Sequence, residues 1–394
     1  MKKEKPAKRL RWAIFCHVID NWGDLGVCWR LATNLAMLGQ QVRLFVDDDR
    51  PLAWMAPNGA QDIELVNWPG DQMLPAACLA PERMDDVVIE AFGCTLPQAY
   101  LAAFAANGRR QALLAADWLN VEYLSAEPYA KRCHALPSPV SAGPGAGLAK
   151  YFFYPGFVPG TGGLLREPDL IKRRKAFRRS KWLHARGVHW DGKTLVSLFC
   201  YETPRLLDLL SSLAAAEKPV VLLVCAGRGA QAVKRALKLP DAAEQAQPSP
   251  QLEIIFLPPM SQNDFDRLLW SCDLNFVRGE DSLTRALWAG KPFVWQIYPQ
   301  TDDAHKVKLH AFLDWMQAPD SLRAMQAQWN EVDTTAWAGS AWLGDQVLRT
   351  WKANSVQARK RLLGQPDLAS QLLQFVWGDA TRAEKPIREK PNRH

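Results

Sequence analysis

The stretch RGEDSLTRALWAG, Arg278 to Gly290, decides how the rest of the chain is read. The apolar run Leu274-Asn275-Phe276-Val277 ahead of it has the length and composition of a buried strand. Arg278-Gly279 breaks that run, and Asp281-Ser282 suits the cap of a helix carrying Leu283, Ala286, Leu287 and Trp288. The order is therefore strand, tight turn, helix N-terminus. Unpaired backbone N–H groups at a helix start favour an anion, and Arg278 adds a fixed positive charge at the turn. A phosphate-bearing ligand fits there. Glu280 and Asp281 repel a phosphate unless they face sugar hydroxyls instead, so the expectation is a nucleotide-sugar pocket. The same residues also suit an ordinary helix cap with a solvated acidic turn.

Working outward, the neighbouring apolar runs TLVSLFCY (from 194), PVVLLVCA (219), LEIIFLP (252), DLNFV (273) and KPFVWQIY (291) alternate with helical patterns, and SQND at 261–264 reads as a capping box. A second alternating series fills the N-terminal part: a strand from Trp12 to Val18, a loop Ile19 to Gly26, a helix from about Cys28 to Leu38, then QVRLFVDD from 41, IELVNW from 63, DDVVIEAF from 85, a helix from Pro97 to Ala106 and QALLAADW from 111. Right-handed βαβ crossovers place the Ile19–Gly26 loop at the carboxyl edge of a parallel sheet. Between the two series, Leu136 to Leu165 carries too many Gly and Pro for a regular element and reads as loops anchored by Tyr151-Phe152-Phe153-Tyr154. The expected division is a Rossmann-like first half at 1–160, a basic linker at 161–190 and a Rossmann-like second half at 191–359, with a C-terminal helix at about 360–394 that returns to the first half by analogy with twin-Rossmann transferases.

A chain of 394 residues exceeds a single core. No apolar run approaches the roughly 18 residues of a membrane helix, and the basic start leads into a strand-like segment rather than a signal peptide, so a cytoplasmic protein is expected. Eight scattered cysteines without CxxC spacing read as buried thiols of a reducing compartment. The net charge of +7 favours an acidic partner. Its basic residues concentrate in KRRKAFRRSKWLHARG, Lys172 to Gly187, which also reads as a solvated linker helix; with no recognition module in view, nucleic acid is not expected.

Candidate chemistry lies at the strand ends. In Asp20-Asn21-Trp22-Gly23-Asp24-Leu25-Gly26 two carboxylates flank a ligand-sized loop. Either can orient or deprotonate an acceptor, though Asp24 equally suits a helix cap. Across the presumed cleft, Phe199-Cys200-Tyr201-Glu202 ends a strand; Tyr201 can donate its hydroxyl to a phosphate, whereas Phe199 also suits the core. Gln262 opens a helix where its amide can read a pyrimidine edge, or simply face solvent. Asp302-Asp303-Ala304-His305 lacks the spacing of a metal site, and no metal is expected.

Three separated segments, VIDNWGDLGVCWRLA (18–32), FFYPGFVPGTGGLLRE (152–167) and FVRGEDSLTRALWAGKPFVWQIYPQTDDAH (276–305), together closely resemble the EarP family, the protein-arginine rhamnosyltransferases of bacterial elongation factor P. The resemblance runs in order over nearly the whole chain. It implies a GT-B enzyme, two Rossmann-like domains facing each other across a cleft, that moves L-rhamnose with inversion from dTDP-β-L-rhamnose to an arginine nitrogen of elongation factor P, without a metal or other cofactor and away from membranes. It further implies that Asp20 is the catalytic carboxylate with Asp24 in support, and that Asn21 shapes the acceptor side. Tyr201, Arg278, Asp281 and Ser282 would hold the diphosphate, with the backbone amides of Asp281 and Ser282 contributing. Phe199 would lie on the donor side, Glu280 would face the nucleoside sugar and Gln262 the thymine. No base-stacking aromatic precedes Gln262 in LPPMSQ, which leaves Phe256 or Leu257 as substitutes. Two other readings stand beside this one: a glycosyltransferase or nucleotide-sugar epimerase acting on a small molecule, and a basic binding protein without activity.

Overall fold

The computed structural model describes residues 9–18, 22–69, 74–107, 114–299, 303–333, 335, 337 and 339–378. Thirteen strands are described: β1 (Arg11–Cys16), β2 (Gln41–Val46), β3 (Ile63–Asn67), β4 (Val87–Ala91), β5 (Trp118–Val121), β6 (Leu136–Pro139), β7 (Ala149–Phe153), β8 (Thr194–Leu198), β9 (Val220–Val224), β10 (Gln245–Ser249), β11 (Leu252–Phe256), β12 (Leu274–Arg278) and β13 (Phe293–Gln296). They form two sheets, of order β3-β2-β1-β4-β5-β7-β6 and β10-β11-β9-β8-β12-β13. All pairings are parallel except the two edge strands β6 and β10, which are antiparallel to β7 and β11. The central strands are buried on both faces, as in VVLLV of β9 and WAIFC of β1, because helices cover both sides of a parallel sheet.

The helices are α1 (Gly23–Met37), α2 (Leu52–Met55), α3 (Gln98–Ala106), α4 (Pro128–Cys133), α5 (Leu170–Ala176), α6 (Arg179–His184), α7 (Leu206–Ala214), α8 (Arg228–Ala236), α9 (Gln262–Ser271), α10 (Gly279–Ala289), α11 (Ala304–Met316), α12 (Asp320–Trp329), α13 (Asp345–Leu363) and α14 (Leu368–Trp377). The last of these buries Leu368, Ala369, Leu372 and Val376 in the same core as Trp12, Ile14 and Leu31, on the first sheet. The other face of that sheet is filled by Phe15, Phe45 and Tyr100, with Phe15 and Phe45 stacked at 4.2 Å. The second core gathers the faces of β8, β9, β12 and β13 with α7, α10 and α11. Two Rossmann-like α/β halves thus face each other across a cleft, the GT-B arrangement.

Four expectations need correction. The helix after β1 starts at Gly23, not near Cys28, so Asp24 lies in its first turn rather than in a loop; Gly23 and Gly26 are helical despite their flexibility. The strand sought in QALLAADW starts only at Trp118, where the β-favouring WLNV registers Trp118 against Val88. The Gly/Pro-rich 136–165 segment holds a hairpin: β7 carries Tyr151, Phe152 and Phe153 beside β5, and β6 tolerates Pro137 and Pro139 because it is an edge. The basic segment is not one solvated helix but two short ones, α5 and α6, and two of its arginines turn inward: Arg174 donates to the Ala289 carbonyl at 2.7 Å, and Arg179 pairs with Asp273 at 2.7 Å.

Candidate active site

α10 starts at Gly279, immediately after β12, so Glu280, Asp281 and Ser282 all sit in its first turn. Asp281-Ser282 therefore do not precede the helix; Arg278 is the capping position. Gly279 takes a left-handed φ of 62°, and the Trp295 indole donates to its carbonyl at 2.8 Å, fixing the turn. The Ser282 hydroxyl accepts the Arg278 N–H at 2.9 Å and donates back to the Arg278 carbonyl.

The Arg278 guanidinium leaves this turn between two aromatic rings, 4.5 Å from the Phe199 centroid and 4.6 Å from that of Tyr201. Both rings follow β8, the strand beside β12, and that adjacency brings residues 79 positions apart into one stack. Stacking leaves guanidinium edges available while the rings favour its charge. Arg278 Nη1 is buried and has no hydrogen-bond partner among the described residues. Phe199 packs edge-on against Phe265 at 5.5 Å, Tyr201 against Tyr298 at 5.5 Å, and the Tyr201 N–H is held by Gln296 at 2.8 Å. Three of the residues named from sequence thus form one unit.

The acidic pair in the turn has cations of its own. Glu280 meets Lys308 at 2.7 Å and also accepts the Leu124 N–H of the first half at 2.7 Å; Asp281 meets Arg30 of α1 at 2.9 Å. Gln262 likewise reaches across, its Nε2 donating to the Gly26 carbonyl at 2.8 Å. The N-terminal turns of α1 and α10 therefore stand against each other. Asp24, in the first turn of α1, is buried. Asp20 and Asn21 lie outside the described residues; the adjoining Trp22 is left-handed at φ 67°, 41% exposed, and edge-on to Trp54 at 6.3 Å.

Behind the turn lies a group of charges that the sequence reading missed. Arg285 holds Asp266 through two bonds of 2.7 Å and Glu167 at 2.9 Å; Arg30 meets Glu167 at 3.1 Å and Asp266 at 3.5 Å; Arg173 adds a third cation near both acids. Arg30, Arg285, Glu167 and Asp266 are all buried, and they come from α1, the linker, α9 and α10. Burial alone raises the Glu167 carboxyl, but Arg285 and Arg30 outweigh it and hold it down at about 2. Arg30 and Arg285 each lie alone in an apolar helical context, CWRLA and TRALW, where a lone charge signals a buried partner.

A cleft of about 1260 Å³ opens beside this group, lined by Trp29, Arg30 and Thr33 of α1, the Trp54–Gly59 loop and the Phe256–Gln262 segment. Phe256 and Leu257 are both in its wall, and Lys234 sits 4.8 Å over the Phe256 ring. The Phe199–Arg278–Tyr201 stack is not in that wall; of the named donor residues only Gln262 is. A void of about 40 Å³ separates Val27, Cys28 and Leu31 of α1 from Glu280, Asp281 and Thr284 of α10. No group of three or more His, Cys, Asp or Glu residues arranged to hold a metal ion occurs among the described residues, and Asp303 instead pairs with Lys306 at 3.0 Å. None of the described helices is long and apolar enough to cross a membrane, and the eight cysteines are unpaired.

Residues 12–377 match the family described as elongation factor P (EF-P) rhamnosyltransferase EarP. The chain is 41% identical to a protein-arginine rhamnosyltransferase of Pseudomonas aeruginosa, over 92% of this chain and 98% of that one. It is 43% identical to the protein of that name from Pseudomonas putida, with the same coverage. A solved structure described as the structural basis for EarP-mediated arginine glycosylation of translation elongation factor EF-P superposes with a TM-score of 0.63 at 32% identity, over 93% of this chain and 98% of that one. The spinosyn rhamnosyltransferase SpnG shares the fold, with a TM-score of 0.50 at 14% identity over 92% and 99% of the two chains.

Proposed function

This chain belongs to the EarP family of protein-arginine rhamnosyltransferases, and from that premise we propose that it transfers L-rhamnose from dTDP-β-L-rhamnose to one arginine of elongation factor P with inversion at the anomeric carbon. The observation that carries the donor half of this reading is the Arg278 guanidinium, stacked between Phe199 and Tyr201 at the start of α10 with a buried Nη1 unpaired among the described residues. A diphosphate at that turn would receive a cation and the helix N-terminus together.

The proposed chemistry is a single in-line displacement. A guanidinium with a pKa above about 12 is not deprotonated beforehand by a carboxylate at neutral pH. Asp20, supported by Asp24 and with Asn21 shaping the acceptor side, pairs with the arginine and aims one nitrogen at the anomeric carbon. The N–C bond forms as the C–O bond to dTDP breaks, and the nitrogen proton passes to the carboxylate. The charge developing on the departing dTDP is met by Arg278, the Ser282-capped turn and the first amides of α10. Glu280 serves the nucleoside sugar and Gln262 the thymine. For Gln262 this requires giving up its bond to Gly26 or sharing it.

Elongation factor P incubated with dTDP-β-L-rhamnose and this protein should yield dTDP and an α-configured rhamnosyl arginine by NMR. A β-configured product contradicts inversion. Consumption of the donor with no protein acceptor present favours the small-molecule reading instead.

A further inference from the structure

A carboxylate in the first turn of a helix ordinarily folds back onto that helix's own unpaired N–H groups. Asp281 does not: it accepts no backbone N–H among the described residues, and its carboxylate lies 2.9 Å from Arg30 Nε of the opposite half. Left uncompensated, it would also oppose a diphosphate at the same turn, because two like charges at short range in a partly dehydrated cleft repel strongly. Arg30 is 3% exposed and is held on its other edges by Glu167 at 3.1 Å, Asp266 at 3.5 Å and the Gln262 carbonyl at 3.4 Å. Three acceptors hydrogen-bond this guanidinium, and Asp281 faces its Nε as an ion-pair partner without a hydrogen bond. A lysine ammonium cannot meet that set.

We propose that Arg30 is a positioning residue for donor binding: it draws the Asp281 carboxylate across the cleft and neutralises it, which leaves the N-terminal amides of α10 open to a diphosphate and sets α1 in register with the donor turn. The inference deepens the reading of this turn as a nucleoside-diphosphate site and rests on it. Arg30 acts through Asp281 rather than on the donor, so its contribution exists only while Asp281 is there to be held.

The test is a double-mutant cycle on dTDP affinity, measured by calorimetry on the full chain. Arg30→Met should weaken dTDP by about tenfold, because it leaves the Asp281 charge unneutralised, whereas Asp281→Asn, at a site 20% exposed, removes that charge and should cost about threefold or less, and the double variant should bind better than Arg30→Met alone. Arg30→Lys keeps the charge and the fold but should still lose about threefold to tenfold in dTDP affinity and raise the donor KM with kcat preserved. Losses that multiply in the double variant overturn the inference, as does Arg30→Lys that binds dTDP like the unaltered protein. Failure of the unaltered protein to bind dTDP at all would instead refute the nucleotide reading on which the inference stands.

Discussion

Arg278 owes its usefulness to geometry rather than to charge alone. Its planar group fits between the Phe199 and Tyr201 rings at 4.5 and 4.6 Å, where an ammonium would contact one ring at best. Arg278→Lys should therefore weaken dTDP binding by about tenfold with little change in thermal midpoint, measured by calorimetry and by melting. Unchanged affinity would mean that the stack is packing only. At this scale the sequence was informative about residue types and silent about partners. That Glu280 and Asp281 sit awkwardly beside a phosphate follows from the letters; that Lys308 and Arg30 compensate them does not, since those cations lie 28 and 251 positions away and meet the turn only through the fold.

Among the elements, α10 is bracketed by two left-handed glycines, Gly279 at φ 62° and Gly290 at φ 60°. Its first turn is acidic, and its last carbonyls receive Arg174 and Arg359, the latter at 3.1 Å from the Ala289 oxygen, so side-chain charge opposes the helix dipole at both ends. A Cβ at Gly290 would lie 2.6 Å from Arg359 Nη1 in a conformation L-residues avoid. Gly290→Ala should thus cost about 1–2 kcal/mol of stability in thermal or denaturant unfolding, and a neutral outcome would refute the constraint. The alternation of strand and helix around this element was legible, because buried parallel strands leave continuous apolar runs. Element starts were less so. Gly23 and Gly26 looked like loop residues but are helical, and the prolines of β6 concealed a strand that only an edge position permits. The strand β10 went unseen because QAQPS has no apolar run and pairs only along β11.

At the scale of the whole molecule, the two halves are joined through Arg30, Arg173 and Arg285 set against Glu167, Asp266 and Asp281. Glu167 titrates at about 2 in the folded chain against an ordinary 4.5, so its stabilising share is complete above 4.5 and is lost as the pH falls toward 2. Denaturant unfolding across this acid range should show the loss, and Glu167→Gln should be less stable at pH 7 with a shallower acid limb; an identical pH profile would contradict the assignment. The proposal that Asp20 and the first turn of α10 serve one reaction meets its most direct test in the intact mass of elongation factor P after incubation with dTDP-β-L-rhamnose. The unaltered protein should add one deoxyhexose to a single arginine, while Asp20→Asn should still bind dTDP and add none. A full deoxyhexose increment from the Asp20→Asn variant, or none from the unaltered protein, would contradict it.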